Sequence, residues 1–438
     1  MRTPTFTLSQ DDEFVIAAVH VPHIKVSEID FCIDECQVSL SAKPYFLRLT
    51  MPHALAEDGR QRASFDHESG TLTLHLPKAE PRLHFPDLDL LTLLLPAARR
   101  NPDAVPMLEV LNSSTAAERP PSPSTELDLD WHQQLPDAPA APAPSIRIAP
   151  VAYGFNRGYT GVFAPYADEL SDFLDTPAPE SLALADVRAA RLQAEEERFD
   201  ADHYLADFVD DEGSVAALLR FKPHWIGAYE AHKQAASDAA SAIDFTDDEK
   251  RALLALPNRE HLILPGHDKV LLLGLVDLLF GYAYDVRTTL GDATVESGWT
   301  ICKLSAQLSW LDELRTLDDV WRSAMRRALT YPLYRNWALA AKVWKDVKVI
   351  LKLGLRAILR AVLSIRHTLE RSDQRRLLAR VFMDDYCVWV QRVDDEQLRA
   401  LTRDILPVEP EKAGLFDCID LNEVEAYAAQ HEQLEALD

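Results

Sequence analysis

Between residues 96 and 150 the chain carries 11 of its 27 prolines, and the spacing of apolar residues differs on the two sides of that stretch. Before it, apolar side chains recur at every second position. Beyond Tyr153 they recur at helical spacing. A strand alternates faces with period 2 and a helix with period 3.6, so neither side can adopt the other's architecture without burying its polar residues. The chain is therefore expected to combine an N-terminal antiparallel β-sandwich over 1–95 with an all-helical C-terminal domain over 151–438. A disordered Pro/Ala-rich linker over 96–150 is expected to join them. From Ser113 to Pro150 this linker is Pro, Ala, Ser and acidic residues with Trp131 its one aromatic. It offers too little apolar area to offset the entropy of ordering, apart from a docking motif expected around Leu127 to Leu135.

In the first part, Thr5–Ser9, Phe14–Val21, Phe31–Asp34, the run Val38–Leu49 broken at Lys43-Pro44, and Thr71–Leu76 read as strands. In the second, Ala183–Phe199 reads as a helix. Thr246 before Asp247-Asp248-Glu249 reads as an N-cap, and Val270–Tyr284, apolar nearly all round, as a buried helix. About ten helices in one domain are expected there. Trp337, Ala341, Trp344, Leu351, Leu355, Ile358 and Val362 share one face of a long helix, and Lys342, Lys345, Lys352, Arg356 and Arg360 occupy another.

The net charge of −25 is unevenly spread. Residues 1–95 carry −6, residues 96–314 carry −19, residues 315–383 carry +11 and residues 384–438 carry −11. An acidic surface repels nucleic acid and attracts basic partners. Five scattered cysteines suit a reducing compartment, and Met1–Glu13 shows no apolar run after a basic start, so a soluble intracellular chain without a signal peptide is expected. Glycine is scarce at 14 residues, and the phosphate-loop, nucleophile-elbow and H-E-x-x-H patterns do not occur. Cys32 and Cys36 lack the second pair that a closed zinc site needs. No catalytic residue, metal or cofactor is expected.

The acidic run Glu195-Glu196-Glu197-Arg198-Phe199-Asp200-Ala201-Asp202 reads first as a solvated, solubilising face, and second as a surface imitating a phosphate backbone for a basic partner. The basic stripe from Lys342 to Arg360 admits direct RNA binding, although it lacks an aromatic platform on that face. An enzyme of unknown class in the Trp- and acid-rich helical part is a further alternative.

Several longer strings carry a family resemblance. Thr5–Phe14, Ala42–Leu49 and Gly70–Lys78 are similar to the CS domain of the Shq-type assembly factors, chaperones of H/ACA ribonucleoprotein biogenesis. Tyr153-Gly154-Phe155, Asp202–Phe208, Glu296–Ile301, Tyr331–Arg335 and Asp385–Val390 resemble their specific helical domain. The resemblance implies a crystallin-like sandwich, no catalysis, and a location in the nucleoplasm and cytoplasm. It further implies a chaperone that holds the dyskerin-type pseudouridine synthase subunit before RNA loading and covers its RNA-binding surface. Neither membrane nor direct nucleic-acid binding is implied, and a monomer is expected.

For partner binding, the sequence offers a contact patch of Phe6, Gln10 and Lys78 at the amino-terminal edge of the sandwich. In the helical part it offers Trp299 and Tyr331 as apolar anchors, and Asp417, Asp420, Glu423 and Glu425 as acidic contacts along the partner.

Overall fold

The computed structural model describes residues 4–22, 29–42, 45–66, 70–89, 94, 151–209, 213–234, 243–257 and 261–435. The expected linker motif with Trp131 lies outside them. Seven strands build the N-terminal part: β1 Thr5–Gln10, β2 Phe14–His20, β3 Asp30–Asp34, β4 Gln37–Ala42, β5 Tyr45–Thr50, β6 Arg62–Asp66 and β7 Thr71–Pro77. They form a four-stranded sheet in the order β1-β2-β7-β6 and a three-stranded sheet β3-β4-β5, all antiparallel. Val15, Ala17 and Val19 of β2 and Leu72, Leu74 and Leu76 of β7 alternate into the shared core, as the period-2 pattern requires. Strand β6 was not visible in the sequence because its residues are almost all exposed and carry no alternation.

Fifteen α-helices follow among the described residues. They are α1 Leu184–Arg198, α2 Ala201–Val209, α3 Ser214–Arg220, α4 His224–Gln234, α5 Asp247–Ala255, α6 His267–Thr288, α7 Ser297–Leu304 and α8 Ala306–Trp310. The series continues with α9 Leu317–Thr330, α10 Trp337–Lys352, α11 Leu355–Glu370, α12 Arg376–Leu378, α13 Asp384–Val390, α14 Asp395–Ile405 and α15 Leu421–Glu435. Helix α6 is buried from Leu271 through Asp285 and forms the axis against which α7, α9, α10 and α11 pack. Thr246 and Glu249 exchange capping-box bonds at the start of α5, which satisfies two of the helix's orphan donors.

The long helix expected from Trp337 to Val362 is two helices. It breaks at Gly354, whose φ of 80° lies where an L side chain is strained. The apolar face survives the break, because Trp344, Leu351, Ile358 and Val362 are all buried. The basic face does not survive as a stripe. Arg356 bonds Asp89 and Asp87, Arg360 bonds Glu249, and Lys348, one turn from Lys345, is paired with Glu409.

The sandwich and the helical part belong to one compact unit, Met1–Ala97 with Val151–Asp438. Arg356 joins them: its Nη1 lies 2.7 Å from Asp89 Oδ1, its Nε donates to the Ile243 carbonyl, and its guanidinium sits over the Phe245 ring. Leu254 of α5 packs against the sandwich core. The two parts keep separate cores, yet they share this contact. Arg356→Ala is expected to cost about 1–2 kcal/mol, seen by calorimetry of the full chain as an earlier first transition. An unchanged thermogram would show that the contact contributes nothing.

Candidate interaction surface

The site is built on a buried ionic frame where α1 meets α9. Glu195, 0% exposed, accepts from Arg191 Nη1 at 2.9 Å, Arg327 Nη1 at 3.0 Å and Arg326 Nε at 3.0 Å. Arg191 also donates to Asp312, and Arg327 to Ser309 and Asp175. Burial pushes the Glu195 carboxyl up, but the three guanidiniums outweigh that and hold it below the usual range. The run Glu195–Glu197 is thus no uniformly solvated face. Its first residue is an internal counter-ion, while Glu197 alone of the three keeps to the exposed side.

The frame carries a surface. Arg326 donates to the Leu415 carbonyl and to Glu196, and Glu196 accepts from Cys418 N, so the segment entering α15 is tied to α1. Helix α15 lies against α2, with Tyr204 donating to Glu425, which Lys412 also neutralises. From the other side the loop after α9 is stitched to α2: His203 Nε2 bonds the Leu333 carbonyl at 2.8 Å, and Asp207 accepts from Arg335 N and, through its carbonyl, from Asn336. On these tied elements Asp202, Asp417, Asp420 and Glu423 are exposed, as are Val209, Leu333 and Tyr427.

The residues anticipated for binding divide on this geometry. Asp417, Asp420 and Glu423 are exposed as expected, and Asp420 also caps the first turn of α15 through Asn422 N. Glu425 is already engaged by Tyr204 and Lys412. Tyr331 is held under the Arg327 guanidinium, 4.6 Å from its ring centre, with Arg198 and Lys303 alongside. Leu333, two residues on, is instead 70% exposed. No periodicity marks a loop leucine, so it left no signal in the sequence. Trp299 is half-buried on α7.

The patch expected at the sandwich edge is not formed. Phe6 is 2% exposed, because β1 pairs with β2 in a register that sets Phe6 opposite Val19 and turns both into the core. An edge strand still has an inner face. Lys78 is also 2% exposed, and its ammonium donates to Gln10 Oε1, the Asp11 carbonyl and the Leu83 carbonyl. Gln10 in turn exchanges two bonds with the Phe85 backbone. Gln10 and Lys78 fasten the segment after β7 over the end of the sandwich.

Among the described residues no group of three or more His, Cys, Asp or Glu is placed to hold a metal ion. No described helix is long and apolar enough to cross a membrane. The carboxyls that burial raises, Asp277, Asp285 and Asp346, bond Ser305, Ser297 and Arg287 in turn and line none of the described cavities.

Comparison with known proteins matches both parts of the chain. Residues 3–95 match the family model described as SHQ1-like, CS domain, and residues 234–415 match the model described as SHQ1 protein, Shq1 domain. The chain is 36% identical over 435 residues to the "Protein SHQ1 homolog" of Mus musculus, covering 98% of this chain and 75% of that protein. It is 36% identical over 461 residues to "Protein shq1" of Schizosaccharomyces pombe, covering 100% of both. A solved structure of heat shock protein 16.0 from Schizosaccharomyces pombe is 20% identical and covers 19% of this chain and 94% of its own, with a TM-score of 0.17. With both parts matched and the relatedness running from end to end, the chain belongs to the SHQ1 family.

Proposed function

We propose that this protein is a non-enzymatic assembly chaperone acting in the nucleus and cytoplasm. It binds the dyskerin-type pseudouridine synthase subunit of H/ACA ribonucleoproteins before RNA loading and covers that subunit's RNA-binding surface. The observation that carries the reading is the set of exposed carboxylates Asp202, Asp417, Asp420 and Glu423 on elements tied together around the buried Glu195 frame, with Leu333 exposed in the loop bonded to α2. A basic RNA-binding face is complementary to such a surface. Carboxylates steer the encounter and the exposed apolar residues anchor it. Direct RNA binding finds less support, since Arg356 and Arg360 are consumed by acidic partners within the fold.

The test is a titration of the full chain against a purified synthase subunit, with and without guide RNA, at two salt concentrations. RNA is expected to compete with the chaperone, and salt to slow association. Leu333→Asp is expected to weaken the complex by about tenfold or more, as loss of a central anchor does, with an unchanged melting curve. If RNA and chaperone occupy the subunit together with undiminished affinities, the reading is wrong.

A further inference from the structure

A cavity of about 330 Å³ opens where α6 begins, lined by Arg157, Gly266, His267, Lys269, Val270, Glu313 and Arg315. Its three cationic side chains come from three separate stretches of chain. Glu313 clamps Arg157 through two bonds of 2.6 Å and lies 3.6 Å from Arg315. Lys269 is exposed and has no ionic partner among the described residues. One carboxylate against three cations leaves an excess of two positive charges in the lining. Asp268 sits on the same helical turn but does not line the cavity.

Two further features mark the wall of the cavity. His267 Nδ1 is buried at this site without a hydrogen-bond partner among the described residues. Asn156 and Arg157, both non-glycine, hold φ of 51° and 53°, a conformation that costs energy and persists only where the surroundings enforce it. That backbone turns Arg157 toward Glu313 while Asn156 bonds the Leu262 carbonyl and Leu264 N. The segment so fixed leads into Gly266 of the lining and carries Leu262, 89% exposed, and Leu264, also exposed.

From this arrangement we infer that the cavity binds the phosphoryl group of a phosphorylated polypeptide segment, with Leu262 and Leu264 taking apolar side chains next to the phosphorylated residue. A phosphomonoester carries about −1.5 to −2 charge and three acceptor oxygens, which matches the excess charge and the donors of Arg157, Lys269 and Arg315. A single carboxylate would leave a cation unpaired. A nucleic-acid strand would gain nothing from the leucines.

The experiment is an amide-resonance titration of the full chain with the peptide acetyl-Leu-Ala-phosphoserine-Ala-Leu-amide. The same peptide with glutamate at the centre and a short oligouridylate serve as the other two arms. Saturable shifts at Gly266–Val270 are expected with the phosphopeptide alone. Lys269→Glu with Arg315→Glu is expected to weaken it by about tenfold or more, as loss of charge-assisted bonds does, whereas Lys345→Glu leaves it unchanged. Both cavity residues changed are exposed, so an unaltered melting curve separates lost binding from lost fold. Equal binding of the glutamate peptide, tighter binding of the oligouridylate, or shifts insensitive to the double substitution would each overturn the inference. None of these outcomes bears on the synthase titration, which uses another side chain set.

Discussion

Replacing Glu195 by Ala is expected to lower the unfolding free energy of the chain by about 3–5 kcal/mol, the scale for breaking a buried ionic group by removing one partner. Three guanidiniums converge on this carboxylate, and Arg191, Arg326 and Arg327 are themselves buried. Without it their charge stays desolvated with only Asp312, Asp175 and Glu196 left to answer it. Glu195→Gln keeps the shape and loses the charge, so it is expected to fall between the two. Denaturant unfolding of the full chain measures both. Because the folded carboxyl titrates below its ordinary value, its contribution is complete above the unfolded pKa and is lost as pH falls through the lower folded one. The difference between wild type and Glu195→Gln should therefore persist at neutral pH and shrink only in acid. A loss below about 1 kcal/mol at neutral pH would mean that the frame is not held by this charge. The same variant tests the link to function, since Arg326 ties Leu415 and the approach to α15 to this frame.

Asp285→Asn is expected to act in the opposite direction. Asp285 is 3% exposed on α6, and its Oδ1 is buried with no hydrogen-bond partner among the described residues. Burial raises its carboxyl from 3.8 to about 6, a shift that the Ser297 bond reduces but does not cancel. A raised acid pKa means that the folded state binds the proton more tightly than the unfolded chain. Stability is then complete below the unfolded value and falls as pH rises toward 6. Above that, holding the charged form costs about 2–3 kcal/mol, from a shift of about two units at 1.36 kcal/mol each. The amide needs no such charge and retains a group for Ser297. Asp285→Asn should therefore match wild type near pH 4 and exceed it by about 1–2 kcal/mol at pH 8, part of the gain going to the amide's own unmet bonds. Thermal melts at the two pH values decide it, and a stability difference that does not vary with pH would refute the assignment.

The parts of this protein that could be read from its residues are those with a local cause. Thr246 with Glu249, the alternation in β2 and β7, and the all-round apolar run of α6 each depend on neighbours within a few positions. The same holds for the acidic balance of the chain. What was misread shares the opposite property. Phe6 sits on an edge strand, yet the register with Val19 buries it. Lys78 follows the last strand, yet it closes on Gln10, 68 positions away. Arg356 and Arg360 hold helical spacing with the lysines, but Asp89 and Glu249 claim them. Of the anchors proposed in the loop after α9, Tyr331 is taken up by cations and its neighbour Leu333 is exposed.

The sequence by itself determined the antiparallel sheets followed by a helical region and the sign of the net charge, because periodicity and composition are properties of short windows. The tertiary structure alone decided which charges are internal and which face outward. Glu195 meets Arg326 across 131 positions and Glu196 meets Cys418 across 222. A charge's role depends on what surrounds it in space, where desolvation and distance set its energy, and a linear pattern carries neither quantity.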